Sequence, residues 1–305
     1  MADWTLRILE TPQEMQAVEQ LQRLVWPDSE TDIVPAHLLL ASAHNGGLVI
    51  GAFPGDRRGE GEEASLAGFV FGFPGMYATP DGPRLKHCSH MLGVDPGYRG
   101  QGLGFALKRA QWQMVRYQGL DRITWTYDPL LSRNAYLNVA QLGAVCNTYL
   151  REEYGTMRDA LNRDLPSDRF QVDWWVNTQR VERRLSRGAR LKLDLAHFLA
   201  AGAQVLNPTH LDADHLPRLD PSRYQDWLED PAPVGGEQPL VLVEIPSDYQ
   251  ELKASDLELA HEWRLQTRLL FETLFERGYL VTDFIHLPGA LARSYYVLSF
   301  GESTL

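Results

Sequence analysis

The chain has 305 residues, 44% hydrophobic and 23% charged, so it holds enough apolar sequence for a core and is not disordered overall. Its formal charge of −11 argues against general nucleic-acid binding, which draws on accumulated lysine and arginine, and no apolar run approaches the roughly 18 residues of a membrane span. Two cysteines, Cys88 and Cys146, give no disulfide framework, and Met1-Ala2-Asp3-Trp4 lacks the regions of a signal peptide, so a cytoplasmic protein without membrane or nucleic-acid partners is expected.

Thr5–Leu9 alternates weakly and predicts a first strand. Thr11-Pro12-Gln13-Glu14 has the form of a helix entry, with Thr at the N-cap and Glu three residues on. Met15, Val18, Leu21 and Val25 then recur at helical spacing. Leu48–Phe53 and Leu66–Phe71 predict strands joined by a polar loop over 55–64. A third strand, from about Lys86 to Val94, ends at Asp95-Pro96-Gly97. The following helix carries Leu103, Leu107, Ala110 and Met114 on one stripe, with Lys108, Arg109 and Arg116 around the rest; Lys108 and Arg109 read as a solvated face, with contact to a ligand's outer phosphates as the alternative. Arg122–Tyr127 is β-branched and aromatic and predicts a strand that Asp128-Pro129 breaks. Ser132–Leu142 predicts a short helix closed by Gly143, with strands at Val145–Tyr149 and Phe170–Val176 beyond it.

This order describes one mixed α/β domain over residues 1–178, with an additional α/β region over 179–305. Arg180, Arg183, Arg184, Arg187, Arg190 and Lys192 form a basic cluster read as a solvated face. A loop over 229–236 precedes a strand at Leu240–Pro246. A long helix, Leu257–Arg277, leads into strands at Tyr279–Ile285 and Tyr295–Phe300. Strand, helix, strand and strand repeats the order around residues 88–149, which makes a degenerate duplication without its glycine loop one reading of this half.

Chemistry concentrates at Arg99-Gly100-Gln101-Gly102-Leu103-Gly104, between a strand and a helix. Amides at a helix start lack intrahelical partners, and glycines let an anion approach the main chain, so the segment reads as a phosphate cradle. A turn and helix cap is the plainer reading. A dinucleotide fold lacks its early βαβ repeat, and no Gly-Lys-Ser/Thr follows for a P-loop NTPase. No metal site is proposed: His87 and His90 do not make a ligand set, and His261-Glu262 lacks a second histidine.

Arg99-x-x-Gly102-x-Gly104 after a strand, with Asn134-Ala135 and Leu142-Gly143 downstream, resembles the GCN5-related N-acetyltransferase superfamily over residues 4–176. Ser89–Val94, Tyr127–Leu130 and Pro166–Phe170 resemble an uncharacterised acetyltransferase group within it. The resemblance implies a mostly antiparallel, twisted sheet flanked by helices. It also implies acetyl- or another acyl-coenzyme A as co-substrate and a small-molecule amine acceptor. Arg99, Gly100, Gln101, Gly102, Leu103 and Gly104 would hold the pyrophosphate, with Asn134 as a further cofactor contact. The pantetheine arm would lie beside the strand ending at Val94, in a wedge opened against Arg122–Tyr127. A backbone N–H at Leu92 or Val94 would polarise the thioester for direct transfer in a ternary complex.

Relatives carry a tyrosine acid four residues before the closing glycine, where this chain has Val139. Tyr136 and Tyr149 are the substitutes considered. His90 is the first candidate base, because period two puts it with Leu92 and Val94 and an imidazole suits proton removal near neutrality. Asp128 is the second, as base or as an orienting group for a cationic amine, with helix-cap and core roles as the plainer readings of both. Trp26, Trp174 and Trp175 are candidates for a cleft wall. A catalytically silent acyl-coenzyme A-binding module, motivated by Val139, and O-acyl transfer are the alternatives. The C-terminal region is expected to cover the cleft or to form a homodimer surface.

Overall fold

The computed structural model describes residues 4–27, 30–55, 65–155, 164–186, 193–229 and 239–301. Most of the predicted loops over 55–64 and 229–236, with Arg187, Arg190 and Lys192, lie outside the described residues. The described residues form two compact units: 4–125 with 175–177, and 126–155 with 164–174 and 178–301.

The first unit contains β1 (Trp4–Ile8), α1 (Pro12–Val25), α2 (Ala36–His44), β2 (Leu48–Pro54), β3 (Gly68–Thr79), β4 (Gly82–Val94), α3 (Leu103–Tyr117) and most of β5 (Arg122–Tyr127). Its sheet runs β1-β2-β3-β4-β5, antiparallel except for the parallel pair β4 and β5. The predicted capping box starts α1: the Thr11 side chain accepts from the Glu14 amide at 3.3 Å, and Glu14 accepts from the Thr11 amide at 3.0 Å. Alternation along β2 and β3 divides the core between the two sheet faces. Met15, Val18, Leu21 and Leu39 pack with Val49, Phe69 and Phe71 under α1 and α2. Leu103 and Leu107 of α3 pack with Ile50, Ala52 and Val70. Each fully buried valine, leucine, isoleucine, phenylalanine or methionine among them contributes about 1.5–3 kcal/mol of transfer free energy.

Two elements differ from the sequence reading. Helix α2 was not predicted, because Ala36–His44 is nearly apolar throughout and its start has no side-chain cap. Strand β4 begins at Gly82 rather than near Lys86, forming a long hairpin with β3 in which Thr79 faces Gly82. Thr79-Pro80-Asp81-Gly82 carries the turn signal, and Gly82 adopts φ +112°.

The second unit contains α4 (Ser132–Ala135), continued by a π-helical segment (Tyr136–Gln141), then β6 (Val145–Leu150), most of β7 (Arg169–Trp175), α5 (Gln179–Leu185) and α6 (Leu195–Ala200). Short strands β8 (Gln204–Val205), β9 (His210–Leu211) and β10 (Pro217–Arg218) lead to α7 (Ser222–Glu229) and β11 (Val241–Ile245). The chain then forms α8 (Tyr249–Ser255), α9 (Leu257–Glu276), β12 (Tyr279–Leu287) and β13 (Arg293–Phe300). Its sheet runs β7-β6-β12-β13-β11-β8, antiparallel except for β8 on β11. Strand β6 joins β12 at Cys146 and Val281, so β6 and most of β7 count with the C-terminal strands in the second unit. Mixed α/β architecture with mostly antiparallel strands flanked by helices is the fold class expected from the sequence.

Two members of the basic cluster are structural rather than solvated. Arg180 donates to the carbonyl of Gly143 at 3.0 Å, and Arg184 pairs with Asp283 at 2.8 Å while also donating to the Ala140 carbonyl. Trp174 donates to the Leu142 carbonyl at 2.8 Å. Together they satisfy carbonyls at the end of the π-helical segment that no further helical turn could reach.

Candidate functional site

In the first unit, Asp95 shapes the approach to the glycine loop by accepting from the Gly97 amide at 2.8 Å. Arg99 donates back to the Val94 carbonyl at 3.3 Å, and Gln101 to the Gly97 carbonyl at 3.4 Å. Gly100 and Gly102 adopt φ of +78° and +80°, and the space a Cβ would take at either is open. Gly102 is the N-cap of α3, with no side chain capping that end, and the first helical bond runs from the Ala106 amide to its carbonyl. The amides of Leu103, Gly104 and Phe105 therefore lack intrahelical acceptors at an open, positively polarised helix start. These residues fit a diphosphate: glycines where side chains would intrude, and amide donors at the helix end.

Strand β4 is bulged beside the loop. Phe71 faces Met91 and Gly72 faces Ser89, leaving His90 as the extra residue. Leu92 and Val94 pack on the α3 side of the sheet. The bulge interrupts period two, so His90 does not share their face as the sequence pattern predicts. Its ring instead lies 6.0 Å from Phe71, which belongs to the opposite face, and 5.8 Å from Phe73. Desolvation beside these rings lowers the His90 pKa, which favours neutral imidazole.

Strands β4 and β5 pair only at His87 with Ile123 and Cys88 with Thr124 among the described residues. Beside these pairs stands a buried polar network that sequence reasoning missed. Lys108, 2% exposed, donates to Ser89 Oγ at 2.9 Å and to Gln111 Oε1 at 2.8 Å, with its Nζ 3.7 Å from the centre of the Trp125 ring. Gln111 meets His87 Nε2 at 3.1 Å through its amide nitrogen. Burial pushes His87 down to about 3, and burial also lowers the Lys108 pKa well below that of a free lysine. The signal was present in the spacing: Leu103, Leu107, Gln111 and Val115 recur every four residues, and Lys108 borders that stripe.

The remaining candidates belong to the second unit. Asp128 Oδ1 accepts from the Leu130 amide at 2.9 Å, and Oδ2 accepts from buried Arg264 at 2.5 Å. Tyr149 donates to Asp168 Oδ2 at 2.7 Å, and Arg268 grips both Asp168 oxygens at 2.8 Å. Burial acts to raise the Asp168 pKa, but the Arg268 and Tyr149 hydrogen bonds outweigh it and hold the carboxyl low. Desolvation pushes the Tyr149 phenol upward, so it keeps its proton. Asn134 is half-buried on α4, Tyr136 opens the π-helical segment and Val139 within it is buried. Ser132 is the first residue of α4, after the N-cap Leu131, and its hydroxyl meets Ser294 Oγ at 2.8 Å.

The cleft-wall tryptophans all have packing partners. Trp26 packs edge-on to Phe69, Trp174 is buried, and Trp175 packs on Tyr77 with Arg122 over its ring. Among the described residues no group of acidic, histidine or cysteine side chains is arranged to hold a metal ion, and no helix is long and apolar enough to cross a membrane.

No family model matches the chain, and no curated protein does. Solved structures similar to it include Arabidopsis thaliana NAA60 in complex with a bisubstrate analogue, at 16% identity and a TM-score of 0.44 over 57% of this chain and 100% of that one. The ribosomal-protein-S18-alanine N-acetyltransferase from Escherichia coli is similar at 15% identity and a TM-score of 0.42, over 62% of this chain and 100% of that one. An acetyltransferase of the GNAT family from Desulfovibrio desulfuricans is similar at 18% identity and a TM-score of 0.41, over 57% of this chain and 99% of that one.

Proposed function

We propose that this protein transfers an acyl group from acyl-coenzyme A to a small amine. The observation that carries the reading is the glycine loop at the uncapped start of α3, next to a strand bulged at His90. Loop amides from Gln101 to Gly104 hold the diphosphate, Arg99 adds positive charge beside them, and the main chain at Leu92 and Val94 lines the path of the pantetheine arm. Bound acyl-coenzyme A supplies a thioester whose carbonyl carbon accepts the amine.

His90 is the base of this reading. An ammonium acceptor must lose a proton before its nitrogen can attack, and a neutral imidazole nitrogen of His90 takes that proton. The apolar rings around it favour the neutral, receptive form near neutrality. Asp128 is a less suited base, because its two oxygens already serve a turn and an ion pair. Tyr149 has its hydroxyl hydrogen committed to Asp168 and is a less suited proton donor.

The experiment is release of free coenzyme A from acetyl-coenzyme A with a panel of small amines. Amine-dependent release that falls strongly in His90→Ala supports the reading. Burial of Val139, where relatives carry an acid, favours the second reading, a binding module without turnover. Tight coenzyme A binding with no release across the panel supports that one instead.

A further inference from the structure

The bulge at His90 gathers three rings on one face of the β3–β4 ribbon. Phe71 and Phe73 alternate onto the same side of β3, and their ring centres stand 5.9 Å apart. The His90 imidazole lies 6.0 Å from the first and 5.8 Å from the second. Phe71 is 2% exposed and belongs to the core under α1 and α2. Phe73 lies beyond that cover, 37% exposed, and His90 beside it is exposed as well. An accessible phenyl ring therefore stands directly against the imidazole.

The rest of this face is short of negative charge. Cys88 stands across from Phe73, and the next pair on the same side is Gly75 with Lys86. Gly75 has no side chain: Cys88 Sγ lies 2.6 Å from where its Cβ would stand, with two Lys86 stem carbons at 3.7 and 3.8 Å. Lys86 is thus the first charged side chain met along the face from His90 towards the turn. From Gly68 to Val94 the only acidic residue is Asp81, in that turn, with roughly 25 Å of strand between it and His90. Helix α2 carries no carboxylate, and the two on α1 are engaged, Glu14 with Arg7 and Glu19 with Arg23 at 2.9 Å.

We propose that the acceptor is a monoamine with an aromatic body, which lies on Phe73 while its nitrogen reaches His90. The proposal rests on the transfer reading with His90 as base and names the substrate class of that site. Aromatic rings meet edge to face or offset at about 4.5–7 Å between centres, the range in which His90 already stands from Phe73. A ligand ring on Phe73 therefore brings a nitrogen on a short chain within reach of the imidazole. A polyamine keeps further ammonium groups after the reacting one has lost its proton. Phenyl rings alone attract such cations, but Lys86 lies next along the face and neither strand supplies a carboxylate, so a second positive charge meets repulsion.

Phenethylamine and spermidine are the probes. Each is titrated into the chain while NMR follows the imidazole resonances of His90, assigned by their loss in His90→Gln, and each is then offered as acceptor in the coenzyme A release assay. Phenethylamine is expected to bind about tenfold more tightly than spermidine and to be the better acceptor. Phe73→Ala, at a partly exposed position, should reduce that preference about tenfold, while Phe73→Tyr keeps it within about threefold of the parent. Lys86→Glu should tighten spermidine by about threefold. Equal or tighter binding of spermidine by the parent overturns the proposal, as does an unchanged preference in Phe73→Ala or unchanged spermidine affinity in Lys86→Glu. Absence of coenzyme A release with every amine retires the transfer reading instead, and the binding titrations still judge the acceptor class because they need no turnover.

Discussion

Asp128 accepts a hydrogen bond from Arg264 at 2.5 Å, and both side chains are buried within the second unit. Taking either partner away leaves the other as an uncompensated charge in a poorly solvated place. Asp128→Asn and Arg264→Met are each expected to cost about 3–5 kcal/mol, and the double replacement less than the sum of the two. Urea denaturation of the three variants checks this. Additive losses would show that the pair is not coupled as the geometry requires. Loss of turnover in an Asp128 variant is therefore no evidence for a base until its folding has been measured.

Gly102 tests the loop. Its φ of +80° suits glycine, while the space around a Cβ is open, so Gly102→Ala meets backbone strain and no collision. A cost on the order of 1–2 kcal/mol is expected, seen as a lowered thermal midpoint. Gly102→Asp adds a negative charge at the helix start, where a diphosphate would sit. It should weaken coenzyme A well beyond Gly102→Ala. Equal affinities for the two variants would argue that the phosphates lie elsewhere.

With His90 as the proposed base, its titration governs the pH dependence of turnover. The neutral imidazole is the active form, and its pKa is lowered by desolvation from the ordinary 6.5. Activity should therefore rise with pH through a limb displaced to the acid side of 6.5 and stay high above it. His90→Gln should remove that limb along with most of the rate. An unshifted limb that persists in the variant would assign the titration to another group.

Much of the chain's architecture is legible in the sequence because its periodicities are strong. The capping box at Thr11 and Glu14, the glycine loop and the strands on either side of α3 all follow from local chemistry. The site's finer geometry depends on tertiary events that periodicity cannot register. One inserted residue at His90 turns its ring toward Phe71, although alternation places it with Leu92. Lys108 reads as a solvent-facing lysine until β4 and β5 enclose it. The Asp128 and Arg264 pair joins residues 136 positions apart, a separation at which no motif links them.

His87 gives a stability signature in acid. Its folded pKa is depressed from 6.5 to about 3, so its neutral form is favoured by folding. The contribution is fully present above pH 6.5 and is lost as pH falls towards 3. The parent should lose stability across that window at up to about 1.4 kcal/mol per pH unit from this residue alone. His87→Gln, which can still accept from Gln111, should show a correspondingly flatter dependence in denaturation measured at several pH values. Parallel curves for the two proteins would mean that His87 is not held neutral by burial.

The central claim is that the open start of α3 and the wedge beside it hold an acyl-coenzyme A donor. Calorimetric titration of the 305-residue chain with acetyl-coenzyme A tests it most directly. The account predicts saturable one-to-one binding that Gly102→Asp severely weakens. No binding heat at millimolar ligand, or unchanged affinity in Gly102→Asp, would contradict it.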